Sequence, residues 1–186
     1  MLKLLDKSTL KGGYKKSESQ SLFDAALATL RKSSATAAEI IKFVENEPKI
    51  SIGVTCIEMD GAFGSSCLAI GEVTPVIVWN PKKKFQVSGW EITGYRKYNN
   101  SPIYGSKEIM TYPPELVLLH ELGHAKQYIE HPDWFTKEKS GGDAIPGTKT
   151  TKEIESDNLE RHERPVAKDL GLKVRQSYED YLGFVD

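Results

Sequence analysis

The apolar positions change period twice along the chain, and those changes divide it into elements. Leu22, Phe23, Ala26, Leu27 and Leu30 recur at helical spacing from about Ser19 onward. After Ser33 and Ser34, the pair Thr36 and Glu39 has the spacing of a capping box for a second amphipathic helix carrying Ile40, Ile41 and Val44, which Pro48 ends. From Lys49 the pattern becomes β-rich, with runs at 50–58, 67–70 and 73–79 separated by Gly61, Gly64 and Gly71, and it predicts a small sheet of antiparallel hairpins. Asn80-Pro81 marks a turn. The Tyr-, Gly- and Asn-rich stretch 89–106 has no clear period and is read as a long loop over a cleft. Pro114 suits the first turn of a helix that stays apolar to Ile129. Residues 131–149 read as loop, and a last helical region opens at a Thr150–Glu153 capping box, where Pro165 should kink or split it. The expected architecture is α+β: N-terminal helices, a small twisted sheet, a central helix and a helical C-terminal half. Residues 1–18 form an arm, and 19–186 a single domain.

Composition narrows the partners. The 186 residues carry 25 basic and 26 acidic side chains with 39% apolar content, a soluble and globular balance without the clustered basic excess that nucleic acid or anionic membrane calls for. No apolar run approaches the roughly 20 residues of a membrane span, and the start of the chain lacks a signal-peptide pattern, so the expectation is export by a signal-peptide-independent route or, otherwise, a cytoplasmic protein. Cys56 and Cys67 stand alone and are read as buried thiols.

The chemistry is concentrated in His120-Glu121-Leu122-Gly123-His124, inside the apolar helix. Histidines four apart lie on one helix face a turn apart, so both imidazoles can reach one ion. A catalytic zinc takes three protein ligands and leaves one position for water, and Glu121 between the histidines is the expected general base. With 4 histidines in the chain, chance would give such a pattern about 0.01 times, and a buried helix is a costly place for unliganded imidazoles and a carboxylate. A metzincin would continue with Gly and His where Gln127 and Glu130 stand, so that subclass is excluded, and His131 falls one position off. A carboxylate from the acidic region 153–163 remains. Glu163 is favoured because Pro165 fixes the backbone beside it, with Glu160 and Asp157 as alternates.

Four segments in order, Val76-Ile-Val-Trp-Asn-Pro81, Pro113 to Ala125, His162-Glu163 to Leu170-Gly171, and Arg175-Gln-Ser-Tyr178, resemble the NleD-type zinc metalloproteases. That family of bacterial effectors and toxin modules is related to the light chains of clostridial neurotoxins. The resemblance covers about 100 residues, from 76 to 178, and leaves the N-terminal third unmatched. It implies a zincin-like metalloprotease fold and a Zn2+ site. His120 and His124 would be ligands and Glu121 the base, while Arg175 and Tyr178 would stabilise the oxyanion. Longer members carry one Glu-based element for the third ligand and a second before Leu-Gly; Glu163 aligns with the second. Val76–Trp79 would be a strand over the active helix to which a peptide could add by backbone pairing. The implied function is a secreted endopeptidase with a protein or peptide substrate and a delivery or immunity partner. Two alternatives stand beside it: a catalytically silent zincin that binds a partner, and a zinc hydrolase of a non-peptide amide such as a cell-wall crosslink.

Overall fold

The computed structural model describes residues 2–4, 13–56, 67–69, 75–135 and 149–185. It is a mixed α and β structure with two small sheets packed around one central helix. The N-terminal helices are α1 (Lys16–Ser33) and α2 (Ala35–Asn46), and their inward faces are Phe23, Ala26, Leu27 and Leu30, and Ala37, Ile40, Ile41 and Val44. The cap of α2 is Ser34 rather than Thr36: Ser34 is extended and its Oγ accepts from the Ala37 amide at 3.2 Å, so the helix begins before the predicted box.

The first sheet joins β1 (Leu2–Leu4), β2 (Ile52–Cys56), β3 (Cys67–Ala69) and β4 (Pro75–Trp79) in the order β1-β2-β4-β3. Here the expectation of antiparallel hairpins is corrected. β1 and β4 both run parallel to β2, with Val54 opposite Ile77, and only β3 is antiparallel. Every residue of β2 is buried, as in a central strand covered on both faces. Within the expected arm, Leu2–Leu4 is a strand on β2 and α1 begins at Lys16, while residues 5–12 lie outside the described residues. Among the described residues β4 lies between β2 and β3, so Val76 and Ile77, paired on both sides, offer no edge to an added peptide. Cys56 is a buried free thiol, and burial pushes its pKa up to about 11. The Cys67 side chain and most of the 57–74 segment lie outside the described residues.

The second sheet is β5 (Lys84–Tyr95), β6 (Pro102–Tyr112) and β7 (Tyr181–Val185), antiparallel in the order β6-β5-β7. The stretch expected as a loop, 89–106, is therefore mostly a long hairpin. Its register shifts near Ile92 disturb the two-residue alternation, which is why no strand period shows in the sequence. The C-terminal part is not wholly helical either, since it ends in β7.

The central helix is α3 (Pro114–Glu130), unbroken in its burial from Leu116 to Ala125. It packs against α1, α2, β4 and β5, and Trp79 Nε1 donates to the Pro114 carbonyl at 2.8 Å, tying the end of β4 to its first turn. The last helical region runs through α4 (Thr151–Asn158), a π-helical turn (Leu159–Glu163) and α5 (Arg164–Asp169). The Thr150–Glu153 capping box forms as expected. Pro165 does not split the helix. The preceding amide, Arg164 N–H, reaches back five residues to the Leu159 carbonyl, and this widened turn gives the proline ring room. Gly171, at φ 71, closes α5 in the left-handed region, where the Leu172 amide bonds the Ala167 carbonyl at 2.8 Å. Among the described residues no helix is long and apolar enough to cross a membrane.

Candidate metal centre

Helix α3 brings His120 and His124 one turn apart in the most buried stretch of the chain, at 4% and 7% exposure. Their Nε2 atoms lie 3.1 Å from each other. The carboxylate that meets them is Glu155, on α4: Oε2 is 3.3 Å from His120 Nε2 and Oε1 is 3.2 Å from His124 Nε2. The two imidazoles and the carboxylate thus form a triangle of three groups, with each carboxylate oxygen facing a different ring nitrogen. A tetrahedral ion with bonds of about 2.0–2.1 Å sets its ligand atoms about 3.3–3.4 Å apart, close to these nitrogen–nitrogen and nitrogen–oxygen separations. Two unprotonated ring nitrogens at 3.1 Å repel each other unless a proton or a cation stands between them. The remaining polar atoms point the same way, because Glu155 Oε2 and Glu121 Oε2 are buried without a hydrogen-bond partner. His120, His124 and Glu155 form a buried group that could hold a metal ion.

Glu163 approaches the other side of the ring, and here the expected ligand set changes. Its Oε2 is 2.7 Å from His120 Nδ1, away from the triangle, while Oε1 accepts from Arg175 Nε at 2.8 Å and Oε2 accepts from Arg175 Nη2. Glu163 is therefore a support for His120 rather than the third member of the triangle. Glu160 is exposed. Asp157 accepts from Gln127 Nε2 at 2.7 Å and is not in the cluster. Glu155 falls within the acidic region that sequence marks out, but nothing local distinguishes it there.

The phase of the helix does distinguish it. Residues eight apart in an α-helix differ by about 80° in direction, but a π turn between them takes up one extra residue and brings Glu155 and Glu163 to nearly the same face. Burial follows that altered period: Ile154, then Asn158 and Leu159, then His162 and Glu163, then Val166 and Ala167. Asn158 ties this face to α3, its Nδ2 donating to the His120 carbonyl at 2.9 Å while its Oδ1 accepts from His162 Nδ1 at 2.8 Å. The approach is close enough that a Cβ on Gly123 would lie 2.0 Å from Asn158 Oδ1.

Arg175 is 1% exposed, and its Nε and Nη2 both engage Glu163. In that placement it supports the Glu163–His120 contact from behind. The backbone around it is held by the Trp90–Val174 bridge, by Arg164 Nε donating to the Arg175 carbonyl at 2.9 Å, and by Asp180 Oδ2, which accepts from the Gln176 and Ser177 amides at 2.9 and 3.0 Å. Tyr178 opens the short 3₁₀ turn before β7, and its side chain lies outside the described ones. Sequence reasoning also missed Gln127, whose Oε1 sits 2.9 Å from His124 Nδ1.

The titratable groups of the cluster shift one another strongly. Burial pushes the Glu121 carboxyl up to about 8, which His120 and Arg175 partly offset. Burial also opposes charge on Glu155 and Glu163, but the histidines beside the first and Arg175 beside the second hold both carboxyls well below the usual range. For His120, burial lowers the pKa while Glu155 and Glu163 raise it more, to about 10. The chain matches no family model, no curated protein and no solved structure.

Proposed function

We propose that the protein is a zinc-dependent endopeptidase of zincin-like fold, with His120, His124 and Glu155 holding the metal and Glu121 as general base. The observation that carries this reading is the meeting of two imidazoles and a carboxylate at separations of 3.1–3.3 Å, beside a buried Glu121 oxygen that has no hydrogen-bond partner. The resemblance of four ordered segments to the NleD-type proteases supports the same activity and a role as a secreted effector or toxin. A zinc ion held there supplies a Lewis acid that acidifies water to a pKa of about 7 and polarises a carbonyl.

The chain's own groups would divide the remaining work. Glu121 Oε2 takes the proton of the attacking water as its oxygen bonds the scissile carbonyl carbon. The same carboxyl then returns the proton to the amine nitrogen as the C–N bond breaks. A carboxyl raised by burial is suited to both halves of that transfer near neutral pH. Glu163, clamped by Arg175, holds the His120 ring in place. Tyr178 enters as the oxyanion donor on the resemblance alone.

Glu121→Gln should retain zinc in dialysed protein, read by elemental analysis, while cleavage of a proteome-derived peptide mixture, read as new termini by mass spectrometry, falls at least about 10³-fold. His120→Ala should lose the zinc itself. Full cleavage by Glu121→Gln would defeat the mechanism, and altered cell-wall fragments without new peptide termini would redirect it to a non-peptide amide.

A further inference from the structure

Behind His124 the donors and acceptors admit only one arrangement. Gln127 is 1% exposed, and its side chain lies between the His124 ring and α4. On the α4 side stand two groups that only accept: the Ile154 carbonyl at 3.1 Å and the Asp157 carboxylate at 2.7 Å. An amide nitrogen only donates and an amide oxygen only accepts, so the nitrogen must face these two acceptors. Reversing the amide would set oxygen against oxygen twice in a buried place. Gln127 Oε1 is thereby forced toward His124 Nδ1 at 2.9 Å, and the hydrogen bond forms only if Nδ1 carries the proton. In the neutral ring, the form that ligates a metal, the lone pair is then on Nε2, which faces His120 Nε2 and Glu155.

We infer that Asp157 and Gln127 form a positioning pair that locks His124 in its Nδ1–H tautomer and so presents Nε2 to the metal. The inference rests on the metal reading above and assigns it two further residues. The two ligands are then supported unequally. A carboxylate backs His120, whereas a neutral amide backs His124, with the negative charge one group further out on Asp157. That charge in turn lies 3.9 Å from Lys149 and 3.7 Å from Arg161, which links the rim of α4 to a ligand on α3.

The direct test is long-range proton–nitrogen NMR on zinc-loaded wild-type protein labelled in histidine. The expected result is a His124 ring with a slowly exchanging proton on Nδ1 and the metal on Nε2; metallation through Nδ1 overturns the inference. Zinc affinity, read by competition with a chromophoric chelator, adds a second measurement. Gln127→Met removes the acceptor at similar volume and should weaken zinc about 10- to 100-fold. Asp157→Asn keeps an oxygen for the Gln127 amide and should stay within about threefold of wild type, while Asp157→Ala should fall between the two. Unchanged affinity in a folded Gln127→Met also overturns the inference, though the zinc site would stand. Wild-type protein that takes up no zinc defeats the underlying metal reading instead. Should Gln127→Met not fold, the wild-type spectrum decides alone.

Discussion

Glu155 and Glu163 both approach the His120 ring, but from opposite nitrogens, and that difference makes one a ligand candidate and the other a support. Their substitutions should separate. Glu155→Ala removes a donor from the triangle and should weaken zinc by more than about 10³-fold, whereas Glu163→Gln still accepts from Nδ1 and should cost about 10- to 100-fold. Competition against a chelator measures both; equal losses would contradict the assignment. Arg175→Met leaves the buried Glu163 carboxylate without its counter-charge and should cost about 3–5 kcal/mol of stability, which denaturant unfolding reads. Adding Glu163→Gln should recover much of that loss. At this scale the sequence was readable where chemistry is local: His120, Glu121 and His124 share two turns of one helix, and their spacing alone brings them together. The roles of Glu163, Arg175 and Gln127 depend on which side of a ring each reaches, which spacing does not encode.

The π turn explains why the C-terminal helix resisted a periodicity reading. Its buried positions recur every four residues across 154–167 rather than every 3.6, so Ile154 and Leu159 form no ordinary stripe and Glu155 carries no mark of its destination. Pro165 was visible as a disturbance, but a kink and a widened turn look alike in sequence. Gly123 fits between the same two elements. Gly123→Ala would force apart Asn158 and α3, since the new Cβ would fall 2.0 Å from a buried amide oxygen held by His162. An expected loss of about 2–4 kcal/mol, with weakened zinc binding, is measurable by thermal unfolding with and without chelator. His162 sets a pH dependence on this contact. Burial, helped by Lys126 and Arg161, lowers its pKa to about 4 from an ordinary 6.5. Unfolded chains therefore bind a proton that the folded protein refuses, and stability present above about pH 6.5 is lost as pH falls toward 4, by about 3 kcal/mol. In metal-free protein His162→Gln should flatten that slope; an unchanged slope would place the acid sensitivity elsewhere.

Across the whole molecule, α3 is held between two sheets and the π-turned helix, so the candidate site is assembled from residues 120 to 175 by packing rather than by a local motif. The α+β class and both N-terminal helices were legible because amphipathic faces repeat within a few turns. Strand order was not, since parallel pairing of β1, β2 and β4 depends on connections that span tens of residues, and the bulged β5–β6 hairpin hides its own period. A ligand that binds only this assembled state should stabilise it, by about 4 kcal/mol at a thousand times its dissociation constant, so zinc should raise the melting temperature and a chelator reverse it. The most direct measurement is anomalous diffraction at the zinc edge from crystals of zinc-loaded protein. One peak about 2.0–2.1 Å from His120 Nε2, His124 Nε2 and a Glu155 oxygen is the expected result. No peak at those atoms, or one coordinated by Glu163 in place of Glu155, would contradict it.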